Sequence, residues 1–179
     1  INTMQNFTRD SRYSFLFNNE KQEYLTKFVN RVMGGENKVK SLDLSGVPHD
    51  IAVFIIGAVA KMIFNVQVAC RNKSITLICD EAHIYIPTNF QLSASQARMV
   101  EIFENIAKEG RKFGITLITA SQRPSELNKT IMAQCANYIV MKLNNENDKS
   151  MMKGILTEGN GPLIDSTSMF SPGEALVVG

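Results

Sequence analysis

The sequence is poor in the residues from which disulfide frameworks and metal centres are built. Its 179 residues hold three cysteines (Cys70, Cys79, Cys135) and two histidines. No two cysteines have C-x-x-C spacing, and His83 follows Glu81 with no second histidine nearby, so H-E-x-x-H chemistry is absent as well. Neither structural zinc nor a disulfide scaffold is therefore expected, and a reducing cytoplasm is the expected setting. Long apolar runs are also missing. The longest, Ile51–Ala60, is broken by Lys61 and is too short to span a bilayer, so no membrane segment is expected. No signal peptide, internal repeat or low-complexity segment is visible. The net charge of +2 is too small to demonstrate a nucleic-acid partner. What remains is an ordinary globular composition, 44% apolar and 20% charged, long enough for one domain with a substantial core. The first residue is Ile1 rather than Met, and the expectation is a piece of a longer polypeptide.

Residues 1–17 show no clear period, although Tyr13–Phe17 could form a short strand. From Asn18 onward Leu25, Phe28, Val29 and Val32 fall at helical spacing, and Gly34-Gly35 stops the run. Val39–Leu44 reads as a strand. A helix is predicted over Ile51–Cys70, its first half apolar all round and so deeply buried. Ile75–Cys79 is a continuous apolar run, the pattern of a strand covered on both faces. Ile84–Leu92 reads as a loop. Ser93 or Ser95 can cap a long helix through about Lys112, with Val100, Phe103, Ile106 and Ala107 inward and a Glu104–Lys108 pair outside.

Ile115–Ala120 is a further buried strand. Pro124 suits the first turn of a helix reaching Gln134. Asn137–Leu143 is a strand, Asn144–Asp148 caps a helix to Leu156, Gly159–Pro162 turns, and Glu174–Gly179 closes as a strand. Alternation of strands and helices at these intervals implies an α/β fold with a mainly parallel sheet.

Three polar groups stand at the ends of these elements. Asp80-Glu81 follows Ile75–Cys79 directly, and ligands of open α/β sheets bind at the carboxyl ends of strands. Two adjacent carboxylates there suit a metal ion and an attacking water: Asp80 would hold Mg²⁺ through its hydration shell and Glu81 would orient or deprotonate water. The start of a surface loop or a helix cap is the alternative. Ser121-Gln122 ends the next strand, where a neutral amide could bond a γ-phosphate or the water, or simply serve a turn. Glu109-Gly110-Arg111-Lys112 ends the long helix, where the dipole alone favours a cation by ~0.3–1 kcal/mol. The functional reading of Arg111 is an arginine finger offered to a neighbouring subunit. His83 reads as a packing residue or an outer partner of the acids rather than a ligand.

Taken together, D-E-A-H, then I-A-K-E-G-R-K-F-G-I-T-L-I-T-A-S-Q-R-P, then Q-C-A-N-Y-I-V-M-K-L-N-N-E-N-D resembles the HerA family of hexameric DNA translocases, relatives of FtsK and of the type IV secretion ATPases. V-K-S-L-D-L-S-G-V-P looks like that family's strand upstream of Walker B, so the resemblance covers about residues 37–179. It implies the C-terminal portion of a RecA-like P-loop NTPase domain, a three-layer α/β fold, with residues 1–36 a helical lead-in. By the same resemblance Asp80 is the Walker B aspartate, Glu81 the catalytic glutamate and Gln122 the sensor. Arg111 is the trans-acting arginine and Arg123 the runner-up, with Ser121 and Arg123 beside the nucleotide. The implied cofactors are ATP and Mg²⁺. The implied partners are double-stranded DNA, five further copies in a hexamer, and a NurA-type nuclease in DNA-end processing.

One departure stands out: no G-x-x-x-x-G-K-[ST] occurs, so the Walker A segment is lacking and the chain alone is expected not to hydrolyse ATP. DEAH-box RNA helicases share the D-E-A-H letters, but S-Q-R-P stands where those carry S-A-T. A secretion-type ATPase moving protein or protein–DNA complexes, and a non-catalytic scaffold of the same fold, are the alternatives. Ile84–Leu92 and Asn128-Lys129 are weak candidates for channel-facing elements.

Overall fold

The computed structural model describes residues 25–70, 73–88, 92–156 and 161–179, so the possible strand Tyr13–Phe17 lies outside the described residues. The chain divides into two compact units, Ile1–Asp43 and Leu44–Gly179. In the first, helix α1 (Leu25–Met33) carries the expected apolar stripe. Gly35 takes φ +83°, a left-handed value at which a side chain would be strained. The Lys40 ammonium reaches back to the carbonyls of Arg31 and Gly34 at the helix end, where the dipole welcomes a cation. Val39–Leu44, expected as a strand, is irregular, with Val39 and Leu42 exposed. A strand forms only against a ladder partner, and no described residue forms a β-ladder with this segment.

The second unit opens with α2 (His49–Cys70). Its buried residues Val53, Gly57, Ala60, Ile63 and Gln67 form one stripe, while Phe54 is 63% exposed. Burial on all sides, the expectation from composition, is therefore not what forms. By length and composition α2 would suffice to cross a membrane. Here its buried stripe lies on another helix, and a Cβ at Gly57 would run into the Met99 thioether, so the two backbones approach closely. Gln67, 2% exposed, donates to the carbonyls of Lys73 (2.5 Å) and Phe113 (3.2 Å). One buried amide thus ties α2 to the segments that lead into both central strands, and both of its donor bonds are satisfied.

Those strands are β1 (Ile75–Cys79) and β2 (Ile115–Thr119), parallel and in register from Ile75↔Ile115 to Cys79↔Thr119. Between them runs α3 (Ala94–Glu109). Ser93 caps it in a capping box with Gln96. Met99, Val100, Phe103 and Ile106 form its buried face, and Glu104 pairs with Lys108 at 3.1 Å outside. A 3₁₀ turn, Gly110–Phe113, and Gly114 at φ +75° end the helix.

The sheet is covered on one face. Cys79 and Ile115 lie on the packed side; Thr76, Ile78, Thr116 and Ile118 form an exposed row, with Ile78 68% exposed. Apolar residues at successive positions made both faces look buried. Among the described residues, helices cover only the Ile75–Leu77–Cys79 side.

Beyond β2 the helix expected over Pro124–Gln134 is split. Pro124–Glu126 is a 3₁₀ turn, Leu127 is drawn into an antiparallel bridge with Pro87, and α4 spans Lys129–Gln134. Asn128 restarts the helix by accepting from Ile131 N at 3.0 Å. The expected strand Asn137–Leu143 shortens to β3 (Tyr138–Val140), which pairs antiparallel with β4 (Leu176–Val178) in a separate two-stranded ladder. Its pairing stops where β4 begins. α5 (Glu146–Ile155) follows its expected Asn145 cap, whereas Gly161-Pro162, expected in a turn, opens α6 (Gly161–Ser166); residues 159–160 are not described.

Candidate active site

Parallel pairing in register brings the carboxyl ends of β1 and β2 together, and with them Asp80-Glu81 and Ser121-Gln122. The backbone continues the union past the strands: Ala120 N donates to Cys79 O at 2.8 Å, and Ala82 N to Ala120 O at 2.9 Å. Asp80 is exposed at the strand end, with one carboxylate oxygen accepting from Glu81 N at 3.0 Å.

Glu81 has φ 46° and ψ 44°; no other described non-glycine residue has a positive φ. A left-handed glutamate costs about 1–2 kcal/mol and persists only where its surroundings fix it. Several groups do. Gln122 Nε2 donates to Glu81 Oε1 at 2.5 Å. The Tyr85 hydroxyl donates to Asp80 O at 2.8 Å, and its ring leans on Phe103 at 5.9 Å between centroids. His83, on the 3₁₀ turn Ala82–Ile84, sets Nδ1 3.0 Å from Ser121 Oγ and 3.4 Å from Glu81 Oε2. Ser121 Oγ also accepts from Arg123 N at 3.0 Å.

Burial, chiefly, raises the Tyr85 phenol, with Cys79 and the two carboxylates adding in the same direction, so it stays a protonated donor. Burial likewise pushes the Cys79 thiol up to about 11, with the Tyr85 hydroxyl pulling slightly the other way.

Asp80, Glu81, Ser121 and Gln122 thus form one hydrogen-bonded cluster. Arg123 is next to it, but its guanidinium pairs with Glu126 at 3.1 Å on the surface. Arg111 is not in the cluster. It is exposed in the turn before β2, at the amino ends of the strands, where Ile75 N donates to Gly114 O at 2.8 Å. Strands of five residues at ~3.3 Å each put it roughly 16 Å from the acid pair. An exposed arginine at that far end does not reach the acid pair of its own chain.

Asn128, expected as a candidate channel residue, is 2% exposed and donates to Glu104 Oε1 at 3.1 Å, so it is structural. In the Ile84–Leu92 loop Tyr85 and Ile86 are buried, and residues 89–91 are not described. Spacing gave no sign of the Tyr85 contact, of the His83–Ser121 link, or of Asp148, which accepts from Ser125 N at 2.9 Å behind the Gln122 segment.

No group of three or more His, Cys, Asp or Glu able to hold a metal occurs among the described residues. Mg²⁺ does not need such a group, since it keeps several waters and takes one or two carboxylates together with substrate phosphates. The exposed Asp80 carboxylate at a strand end fits that role.

No protein-family model matches the chain. It is similar to the "Probable DNA double-strand break repair helicase HerA" of Methanocaldococcus jannaschii, 36% identical over 107 residues, 60% of this chain and 20% of that protein. Against the "DNA double-strand break repair helicase HerA" of Pyrococcus furiosus it is 35% identical over 105 residues, 59% of this chain and 18% of that protein. "Probable helicase MJECL08" of M. jannaschii matches at 29% over 153 residues, 80% of this chain and 28% of that protein. The chain therefore spans between 18% and 28% of the length of these relatives. Among solved structures, the genome packaging NTPase B204 of Sulfolobus turreted icosahedral virus 2 in complex with ATP-gammaS aligns with TM-score 0.53 at 13% identity, over 94% of this chain and 87% of that one. That likeness is one of fold alone, an α/β domain, in agreement with the parallel β1–β2 pair.

Proposed function

We propose that the chain belongs to the HerA family, to whose members it is similar over about 60% of its length, and that it is the Walker B-to-C-terminus part of a RecA-like motor domain that hydrolyses ATP to drive duplex DNA through a homo-hexameric ring. In this reading the phosphate loop comes from a segment outside residues 1–179. The observation that carries the proposal is the Gln122–Glu81 hydrogen bond across the paired strand ends. A general base and an amide able to sense a γ-phosphate share one site and one contact. The exposed Ile78–Ile118 row supports a further layer against this sheet face.

In the mechanism Glu81 Oε1 accepts a proton from the attacking water once Gln122 turns its amide to the phosphate. Asp80 would hold Mg²⁺, whose charge would offset that developing on the phosphates. Ser121 and Arg123 line the nucleotide side of the cluster. Arg111 acts on the neighbouring protomer's nucleotide, where such an arginine contributes ~10³–10⁵ in rate. DNA is gripped through its backbone, independently of sequence and sensitively to salt. The setting is the cytoplasm, with a NurA-type nuclease as partner in DNA-end processing.

Subunit mixing tests the reading. Full-length Glu81→Gln and Arg111→Ala proteins should each lack duplex-stimulated ATPase. Mixed, they should recover part of it, because some interfaces then pair an intact Glu81 with an intact Arg111. Full activity of Arg111→Ala alone removes that residue as the finger. ATP turnover by residues 1–179 in isolation, lost on Glu81→Gln, contradicts placing the phosphate loop elsewhere.

A further inference from the structure

We propose that His83 is a positioning residue for Glu81, an inference that rests on the hydrolytic reading of the site. Among the described residues Glu81 Oε2 is a buried side-chain oxygen with no hydrogen-bond partner. A carboxylate oxygen out of reach of water is costly unless a donor meets it. With the imidazole proton on Nδ1, the donor at hand is His83, whose Nδ1 lies 3.4 Å away and 3.0 Å from Ser121 Oγ. The His83 side chain is 13% exposed, so its ring is held within the cluster rather than swept by solvent.

Ser121 Oγ already accepts the Arg123 amide hydrogen at 3.0 Å and does not depend on the imidazole alone. With its proton on Nδ1, the ring therefore serves two acceptors and needs only a small rotation to pass from Ser121 to Glu81. The other carboxylate oxygen is held by Gln122, the residue after Ser121.

The two oxygens of the base are thus governed by different neighbours. Oε1 is covered by Gln122 and becomes available when that amide turns away. Oε2 then passes to His83, which keeps the carboxylate aimed while Oε1 takes the proton of water. A base whose Oε1 is covered is idle; a base held only at Oε2 is oriented and competent. His83 touches neither nucleotide nor water in this scheme and acts through Glu81.

The test uses the full-length protein with duplex DNA, measuring kcat for ATP hydrolysis and, separately, the Kd for ATPγS. His83→Ala should lower kcat by about 10- to 100-fold, the usual size for losing the partner that orients a reacting side chain. ATPγS affinity should stay within about twofold, since uniform binding is untouched. His83→Asn, which places an amide nitrogen near the position of Nδ1, should regain most of the rate. His83→Gln, which places it near Nε2, should not.

A kcat for His83→Ala within about twofold of the parent overturns the proposal, as does a fall matched by an equal loss of ATPγS binding. Equal rates for His83→Asn and His83→Gln also overturn it, and that pair decides the matter even if His83→Ala does not fold. The underlying reading is tested apart, by Glu81→Gln. Loss of turnover there with unchanged His83 variants sinks only the positioning role, whereas retained turnover sinks both.

Discussion

Replacing Tyr85 with phenylalanine removes one oxygen and leaves the ring on Phe103. The lost bond runs from the Tyr85 hydroxyl to Asp80 O at 2.8 Å. A neutral hydrogen bond of this kind contributes ~0.5–1.5 kcal/mol net, and an abandoned buried carbonyl can cost about 1–3 kcal/mol. Asp80 is an exposed residue, so water can reclaim part of its carbonyl and the smaller sum applies, about 1–2 kcal/mol. That energy is comparable to the roughly 1–2 kcal/mol stored in the left-handed Glu81. Removing the hydroxyl should therefore free the Asp80-Glu81 junction to relax toward ordinary backbone angles. Hydrogen exchange on the full-length protein should show the Ala82 amide, bonded to Ala120 O, losing protection by roughly 5- to 30-fold. DNA-stimulated ATPase should fall with it. Protection and turnover both unchanged would refute the idea that Tyr85 holds the strained acid pair.

Further outcomes follow from single contacts. Gln67→Leu keeps the volume but abandons the carbonyls of Lys73 and Phe113, and should destabilise the β1–β2 unit by about 2–4 kcal/mol; hydrogen exchange in Ile75–Cys79 would show it, and unchanged protection would contradict it. Ser93→Ala removes the capping box of α3 and should cost about 1 kcal/mol, read as faster exchange in the first turn of the helix; an unchanged first turn would contradict it. The Cys79 thiol sits at about 11 in the fold against an ordinary 9.0, so its contribution is fully present below the unfolded value. As pH rises through that interval up to roughly 2–3 kcal/mol is lost, and Tyr85, raised from an ordinary 10.0, adds to the loss from that value upward. Urea midpoints should fall over this range and fall less in Cys79→Ala, while iodoacetamide near pH ~8 should label exposed Cys70 and spare Cys79 in the native protein.

Much of the second unit was legible because its signals are local. The apolar runs of β1 and β2, the extent of α2, the 3.6-residue stripe of α3 and capping from within Asn144–Asp148 before α5 all appear in the structure near their expected places. Adjacency of β1 and β2 followed from parallel topology and set Gln122 against Glu81. What escaped the reading depends on distant partners. Val39–Leu44 has strand composition and no ladder. The Pro124–Gln134 helix breaks because Leu127 bridges to Pro87 and Ser125 N is taken by Asp148, neither contact being marked in the local pattern. Composition made α2 and the strands look buried on every side, when burial depends on which neighbours are there to cover them. In the site, the acid pair was readable as a motif. Its supports, the Tyr85 hydroxyl on Asp80 O and the His83–Ser121 link, are tertiary hydrogen bonds with no periodic signature.

The most direct test of the central claim is the steady-state ATPase of the full-length protein with duplex DNA, parent against Glu81→Gln, with ATPγS affinity measured in parallel. If Glu81 is the base that Gln122 covers and releases, turnover falls by ~100-fold or more while ATPγS still binds. Turnover within a few fold of the parent, in a variant that binds ATPγS normally, contradicts the account.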